Sequence, residues 1–168
     1  QFPGFYITNA QEGEITPQFF YLWPTWIAIF YSIFGLEQGL LVTPFFALLS
    51  ILAVYFVGKT LYNSSAGLFA ALILVISFAM VWYARYPTSE IFTMFLVFSG
   101  ISLLSLFLRG TERFYGILAA VCFGSVLLAR IDSILLFVSI ILVFVGFWIF
   151  GELKKRHFYF IIPFLGFF

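Results

Sequence analysis

Two short words in this sequence each set an arginine close to an acid. The first is Arg85-Tyr86-Pro87-Thr88-Ser89-Glu90, which opens an apolar run; the second is Arg130-Ile131-Asp132, which opens another. Glu90 follows Pro87 at an expected helix start, where proline fits the first turn and the positive end of the helix dipole favours a carboxylate. It reads either as a helix-start acid and nothing more, or as a carboxylate that binds a metal or orients a polar acceptor. Arg85, with Tyr86 beside it, suits a phosphate, because guanidinium matches phosphate oxygens in a fork; the other reading is a headgroup anchor. Arg130 and Asp132 stand at i and i+2, which do not face one another on a helix. Each must therefore find another partner: substrate, water, or an ion pair across the bundle such as Asp132 with Arg85 or Arg130 with Glu90.

The remaining reactive groups offer less. Glu12 and Glu14 lie in a polar stretch where acids are cheaply solvated, His157 is alone, and Cys122, the single cysteine, sits in an apolar run as a packing residue. One cysteine excludes a disulfide or a cysteine-ligated metal site within the chain. No glycine-rich phosphate loop, nucleophile elbow or HExxH word occurs.

Composition says what must hold these groups. Of 168 residues 64% are apolar and 9% are charged, with a mean hydropathy of +1.14; a soluble domain carries about 25% charged residues. A water-facing surface cannot be built from that inventory, so the sequence predicts an all-α, polytopic transmembrane helix bundle. A net charge of +1 provides no basic field for nucleic acid. Apolar runs at Leu40 to Val57, Ala66 to Tyr83, Ile91 to Leu108, Phe114 to Ala129 and Ile134 to Phe150 are each extendable to the 20 or so residues that cross a bilayer. They lack the period-two polarity of barrel strands. A further run begins at Phe158, and residues 1–168 read as one transmembrane domain, a fragment of a longer protein. Short connectors predict antiparallel neighbours.

Loop cations orient the bundle. With the Leu40 run ending in the cytoplasm, the inner loops hold Lys59, Arg109, Arg113, Lys154, Lys155 and Arg156 and the outer loops only Arg85 and Arg130. Both candidate words then face outward. Residues 1–39 read as an external loop followed by an aromatic segment, Phe19 to Phe34, whose Pro24, Trp23, Trp26 and tyrosines favour an interfacial or re-entrant helix. The spacings Gly67 with Ala71 and Gly116 with Ala120 permit close helix approach without naming a partner.

The order of these features resembles a known family. Ile15-Thr16-Pro17-Gln18-Phe19-Phe20-Tyr21-Leu22-Trp23-Pro24-Thr25-Trp26 is similar to the proline-containing amphipathic stretch late in the first external loop of GT-C type membrane glycosyltransferases, in the branch of protein O-mannosyltransferases and aminoarabinose transferases. Leu52 to Tyr62 with Ser65 to Leu74 resembles their second and third membrane helices, and Trp82 to Glu90 their second external loop, where Arg is followed by an acid. The resemblance covers Pro3 to Leu108. It implies transfer of a sugar from a polyprenyl-phosphate carrier to an extracytoplasmic acceptor, by a multi-pass protein of a bacterial or archaeal plasma membrane. Glu90 takes the place of the second-loop acid, which orients acceptor or metal, and Arg85 that of the preceding arginine; Tyr86, Arg130 and Asp132 are candidate substrate-binding residues. The family's catalytic Asp would precede Gln1. The cofactor is left open, with a divalent metal as candidate, and the expected partners are membrane lipid, the polyprenyl-phosphate sugar and neighbouring membrane subunits. The alternative is a non-catalytic subunit or scaffold of a larger membrane assembly, which 26 phenylalanines suit equally well; a transporter is the third option.

Overall fold

The structure is a computed structural model that describes residues 5–9, 14–17, 20–35, 38–110 and 112–167, the first two stretches as backbone alone. Glu12 lies outside the described residues, and of Glu14 only the backbone is described. Among the described residues eight α-helices follow a small hairpin. Strands β1 (Phe5–Asn9) and β2 (Glu14–Pro17) pair antiparallel with an irregularity between Ile7 and Asn9. This stretch reads as a loop in sequence, and the alternation Phe5-Tyr6-Ile7-Thr8 is the local signal for a strand.

The helices are α1 (Leu22–Phe34), α2 (Val42–Leu61), α3 (Ser64–Ile76), α4 (Phe78–Tyr83), α5 (Ser89–Leu108), α6 (Arg113–Leu127), α7 (Ile134–Ile149) and α8 (Phe158–Leu165). Three helical stretches among the described residues are long and apolar enough to cross a membrane: Gln38–Leu61, Ser89–Leu108 and Ile131–Ile149. At 1.5 Å per residue α1 is about 20 Å long, short of a hydrocarbon core of about 30 Å.

The second apolar run, Ala66 to Tyr83, is not one helix. Ser77 is extended (φ −67°, ψ 128°) and its hydroxyl accepts the Met80 N–H at 3.3 Å, so α3 ends and α4 begins under a serine cap. Nor is the bundle a simple chain of sequential neighbours. The most extensive packing joins α2 to α5, two helices running in the same direction from the same end. The small residues Ala47, Ser50 and Ala53 of α2 are buried, and the Ser50 hydroxyl lies against both the Phe46 carbonyl (2.8 Å) and the Ile91 carbonyl of α5 (3.1 Å). The helix α3 flanks α2, α6 flanks α5, and α8 packs on α6. Phenylalanine rings of α7 stack on α8, Phe137 on Phe164 at 3.9 Å and Phe144 on Phe160 at 4.9 Å.

Cross-links fix which connectors share an end. Arg109 Nη2 donates to Leu61 O at 3.4 Å and Arg156 Nη2 to Leu108 O at 2.7 Å, which gathers the α2–α3, α5–α6 and α7–α8 connectors together. At the opposite end Leu22 N donates to Leu128 O at 3.2 Å and Trp23 Nε1 to Pro87 O at 2.9 Å, which gathers the start of α1, the α4–α5 turn and the α6–α7 linker. The outer faces of α3 and α7 are apolar and open: Phe69, Ile73 and Ile76, and Leu135, Leu142 and Trp148, are all exposed. Apolar faces of that extent belong against lipid or another protein.

Candidate functional site

Glu90 sits in the first turn of α5, after Thr88 in extended conformation as N-cap, so its carboxylate stands at the positive end of the helix dipole. Arg130 is an extended residue (φ −150°, ψ 138°) between the last turn of α6 and a 3-10 turn, Ile131–Ser133, that leads into α7. The linker is fastened by Ser133 Oγ, which donates to Val126 O at 3.1 Å. From there the guanidinium forks: Nη1 donates to Glu90 Oε1 at 2.8 Å and Nη2 to Asp132 Oδ2 at 2.7 Å. The cross-bundle pair of Arg130 with Glu90 is one of the two that the sequence allows. The pair with Asp132 corrects the helical spacing argument, because an extended Arg130 turns its side chain back over the 3-10 turn, where i and i+2 do meet.

The bond to Asp132 raises the Arg130 pKa; partial burial opposes the rise and the bond and charge of Glu90 add to it. The guanidinium therefore stays charged at any physiological pH. With side-chain exposures of 30% for Arg130, 38% for Glu90 and 67% for Asp132, these pairs orient groups more than they stabilise the fold.

Three grooves meet at Glu90. One, of about 380 Å³, runs between α1 and the start of α5, with Trp23, Pro24 and Ile27 on one wall and Pro87, Thr88 and Glu90 on the other. A second, of about 440 Å³, lies over Phe20, Ser89, Glu90, Arg130 and Asp132. A third, of about 420 Å³, descends from Glu90, Arg130 and Asp132 along Met94, Val97 and Phe98 of α5 and Leu136 of α7. The arrangement is thus a charged head with an aromatic cleft on one side and an apolar lateral groove on the other. Within it the Thr88 side chain hydrogen-bonds the Glu90 carboxylate, and Thr93 Oγ1 is buried with no hydrogen-bond partner among the described residues, a group open to a ligand or water.

The aromatic cleft is built by packing on α2 and α5. Trp23 and Trp26 of α1 close on Phe46 of α2 (6.2 and 5.2 Å) and on Phe92 of α5 (5.5 and 6.3 Å), with Phe46 and Phe92 themselves edge to face at 4.7 Å. The Trp23 indole bond to Pro87 O then ties α1 to the turn that delivers Glu90.

Glu90, Arg130 and Asp132 are brought together; Arg85 and Tyr86 are not. Both are exposed on the α4 side, with the Tyr86 ring against Trp82 at 5.3 Å. No hydrogen bond or ion pair among the described residues joins either to Glu90, and neither lines the three grooves. Thr93 and the Trp23 tie are site features the sequence reading missed. Thr93 has a signal in its i+3 spacing from Glu90, whereas a tryptophan in a run of aromatics has none. A divalent metal does not fit the cluster: among the described residues no three His, Cys, Asp or Glu side chains converge, and the Arg130 guanidinium occupies the place between the two carboxylates.

A search of curated proteins and a search of solved structures gave no match. A family model does match, over residues 17–168, and its description is dolichyl-phosphate-mannose-protein mannosyltransferase. The match takes in α1, the Glu90 turn and the Arg130 linker alike, and extends past the stretch on which the resemblance in sequence rests. With three helices able to cross a bilayer, the chain is an integral membrane protein. It belongs to the dolichyl-phosphate-mannose-protein mannosyltransferase family, membrane glycosyltransferases of the GT-C type.

Proposed function

We propose that this chain carries the outer-face part of a site that moves a sugar from a polyprenyl-phosphate donor to an acceptor. The observation that carries the reading is the junction at Glu90 of an apolar lateral groove and an aromatic cleft, with one guanidinium between them. A polyprenyl-phosphate sugar has a matching form, a long apolar tail ending in a phosphate and a polar ring. The groove along Met94, Val97 and Phe98 takes the first isoprene units, which leaves the phosphate beside Arg130. Its charge grows as the glycosidic bond breaks, and a fixed guanidinium offsets that charge without reorganising. Asp132 holds Arg130 in place from the exposed side.

The Glu90 carboxylate, held at the helix start beside the Thr88 side chain, is the group that orients the acceptor. A hydroxyl entering the cleft between α1 and α5 donates to that carboxylate and is held toward the sugar, with Pro24 and Ile27 of α1 as the opposite wall. Arg85 and Tyr86 take an outer position at headgroup level, apart from the reacting centre. The chain then crosses the membrane several times, with the cation-rich connectors in the cytoplasm and α1 lying at the outer interface.

The test is transfer of labelled sugar from a polyprenyl-phosphate donor by the full-length protein in nanodiscs. Glu90→Gln and Arg130→Gln each lower kcat/KM by about a hundredfold, and Arg85→Gln by less than about threefold. Wild-type rates in both of the first two variants, with protein folded as judged by its melting profile, remove the cluster from the reaction.

A further inference from the structure

The opposite end of the bundle holds a second built cleft, of about 510 Å³, lined by Arg113, Lys155, Arg156, Phe158, Tyr159 and Ile162. Two of its three cations are fixed in place. Arg113 Nη1 donates to the Tyr159 hydroxyl at 2.8 Å with its guanidinium 4.9 Å from the ring centroid, so it is both hydrogen-bonded and stacked. Arg156 is anchored through Nη2 to Leu108 O, while its Nε is left without an acceptor. The acids of this end, Glu112 and Glu152, are exposed, and among the described residues no ion pair joins them to the three cations. Cations that serve only to orient a chain in the membrane need lie in the right loop and nothing more. These come from two separate connectors, converge on one cleft, and among the described residues make no ion pair.

An anion with geometry for forked donors meets that description, and phosphate is the one available at a membrane surface. Phe158 and Ile162 continue the cleft along α8 as an apolar wall, suited to the first carbons of a chain attached to that phosphate. We propose that Arg113, Lys155 and Arg156 form a binding site for a phosphate group, carried by an anionic membrane lipid. The site shares no residue with the transfer centre and stands whether or not that reading holds.

The test uses full-length protein and two probes, phosphatidylglycerol in phosphatidylcholine nanodiscs and inorganic phosphate in detergent, with retained lipid counted by native mass spectrometry. Arg113→Gln combined with Lys155→Gln weakens phosphatidylglycerol binding by about tenfold or more, and Lys59→Gln, a cation of the same end outside the cleft, by less than about twofold. Lys155→Gln alone leaves the Arg113 and Arg156 anchors intact and still lowers affinity about threefold or more, which keeps the result readable where the double variant fails to fold. Inorganic phosphate that displaces the lipid at equal strength supports the phosphate site and overturns the lipid as its source. Equal loss from the cleft variants and from Lys59→Gln, or no loss from either, overturns the proposal.

Discussion

A guanidinium between two carboxylates is a positioning device before it is a stabilising one. Arg130 meets Glu90 and Asp132 through separate nitrogens of one rigid plane, so the two acids are held at a fixed offset on two separate elements. His157 shows the opposite arrangement, a titratable ring enclosed by apolar ones. It is buried against Phe147 at 5.6 Å, Phe144 at 6.1 Å and Phe107 at 6.2 Å, and its Nδ1 accepts the Lys154 N–H at 3.3 Å. Burial, then Arg156 and Lys154, pushes its pKa below the usual 6.5. The folded state thus resists a proton that the unfolded chain takes up at about 6.5, so its contribution is intact above that pH and is lost as pH falls from there toward the depressed folded value. Melting of the purified protein from about pH 8 to about pH 5 should show stability declining below about 6.5, and His157→Phe should remove that part of the decline. An unchanged profile in the variant contradicts the assignment.

At the scale of elements, helix contacts in lipid depend on fit, since apolar surface gains little by leaving hydrocarbon. A Cβ on Gly58 of α2 would lie 2.6 Å from the Gly67 Cα of α3, and one on Gly67 would run into Tyr55 O. Both obstacles are backbone, which cannot rotate away. Gly58→Ala should accordingly destabilise by about 1–3 kcal/mol, despite alanine's better helix propensity. Gly146→Ala on α7, where nothing lies within 4 Å, should be neutral or slightly stabilising. Melting midpoints of the two variants test this, and equal effects would contradict the close crossing. The sequence marks Gly67 with Ala71 and Gly116 with Ala120 as places of close approach, and all four are buried. It does not say that Gly67 meets a backbone while Gly116 receives the Phe107 ring, because spacing on one helix carries no information about its partner. The break at Ser77 was illegible for a related reason: nothing but a hydroxyl interrupts the apolar run. The Arg130–Asp132 pair was hidden by assuming helix where the chain is extended.

For the molecule as a whole, segregation of charge is the feature most legible in the sequence. The six inner cations assigned by counting lie on connectors, or on the helix turns beside them, that the Arg109 and Arg156 bonds bring to one end, and Arg130 with both candidate acids lies at the other. Alternating apolar runs fix that separation, whereas the lateral groove and the aromatic cleft depend on the α2–α5 pairing, a tertiary choice that no local pattern encodes. The central claim is that the Glu90 end faces away from the cytoplasm, and thiol accessibility tests it most directly. In a Cys122→Ala background, single cysteines at Tyr86, Ile131 and Glu152, all exposed positions, are treated in intact cells with a membrane-impermeant maleimide. Tyr86→Cys and Ile131→Cys should be labelled and Glu152→Cys only after the membrane is opened; labelling of Glu152→Cys alone in intact cells would contradict the account.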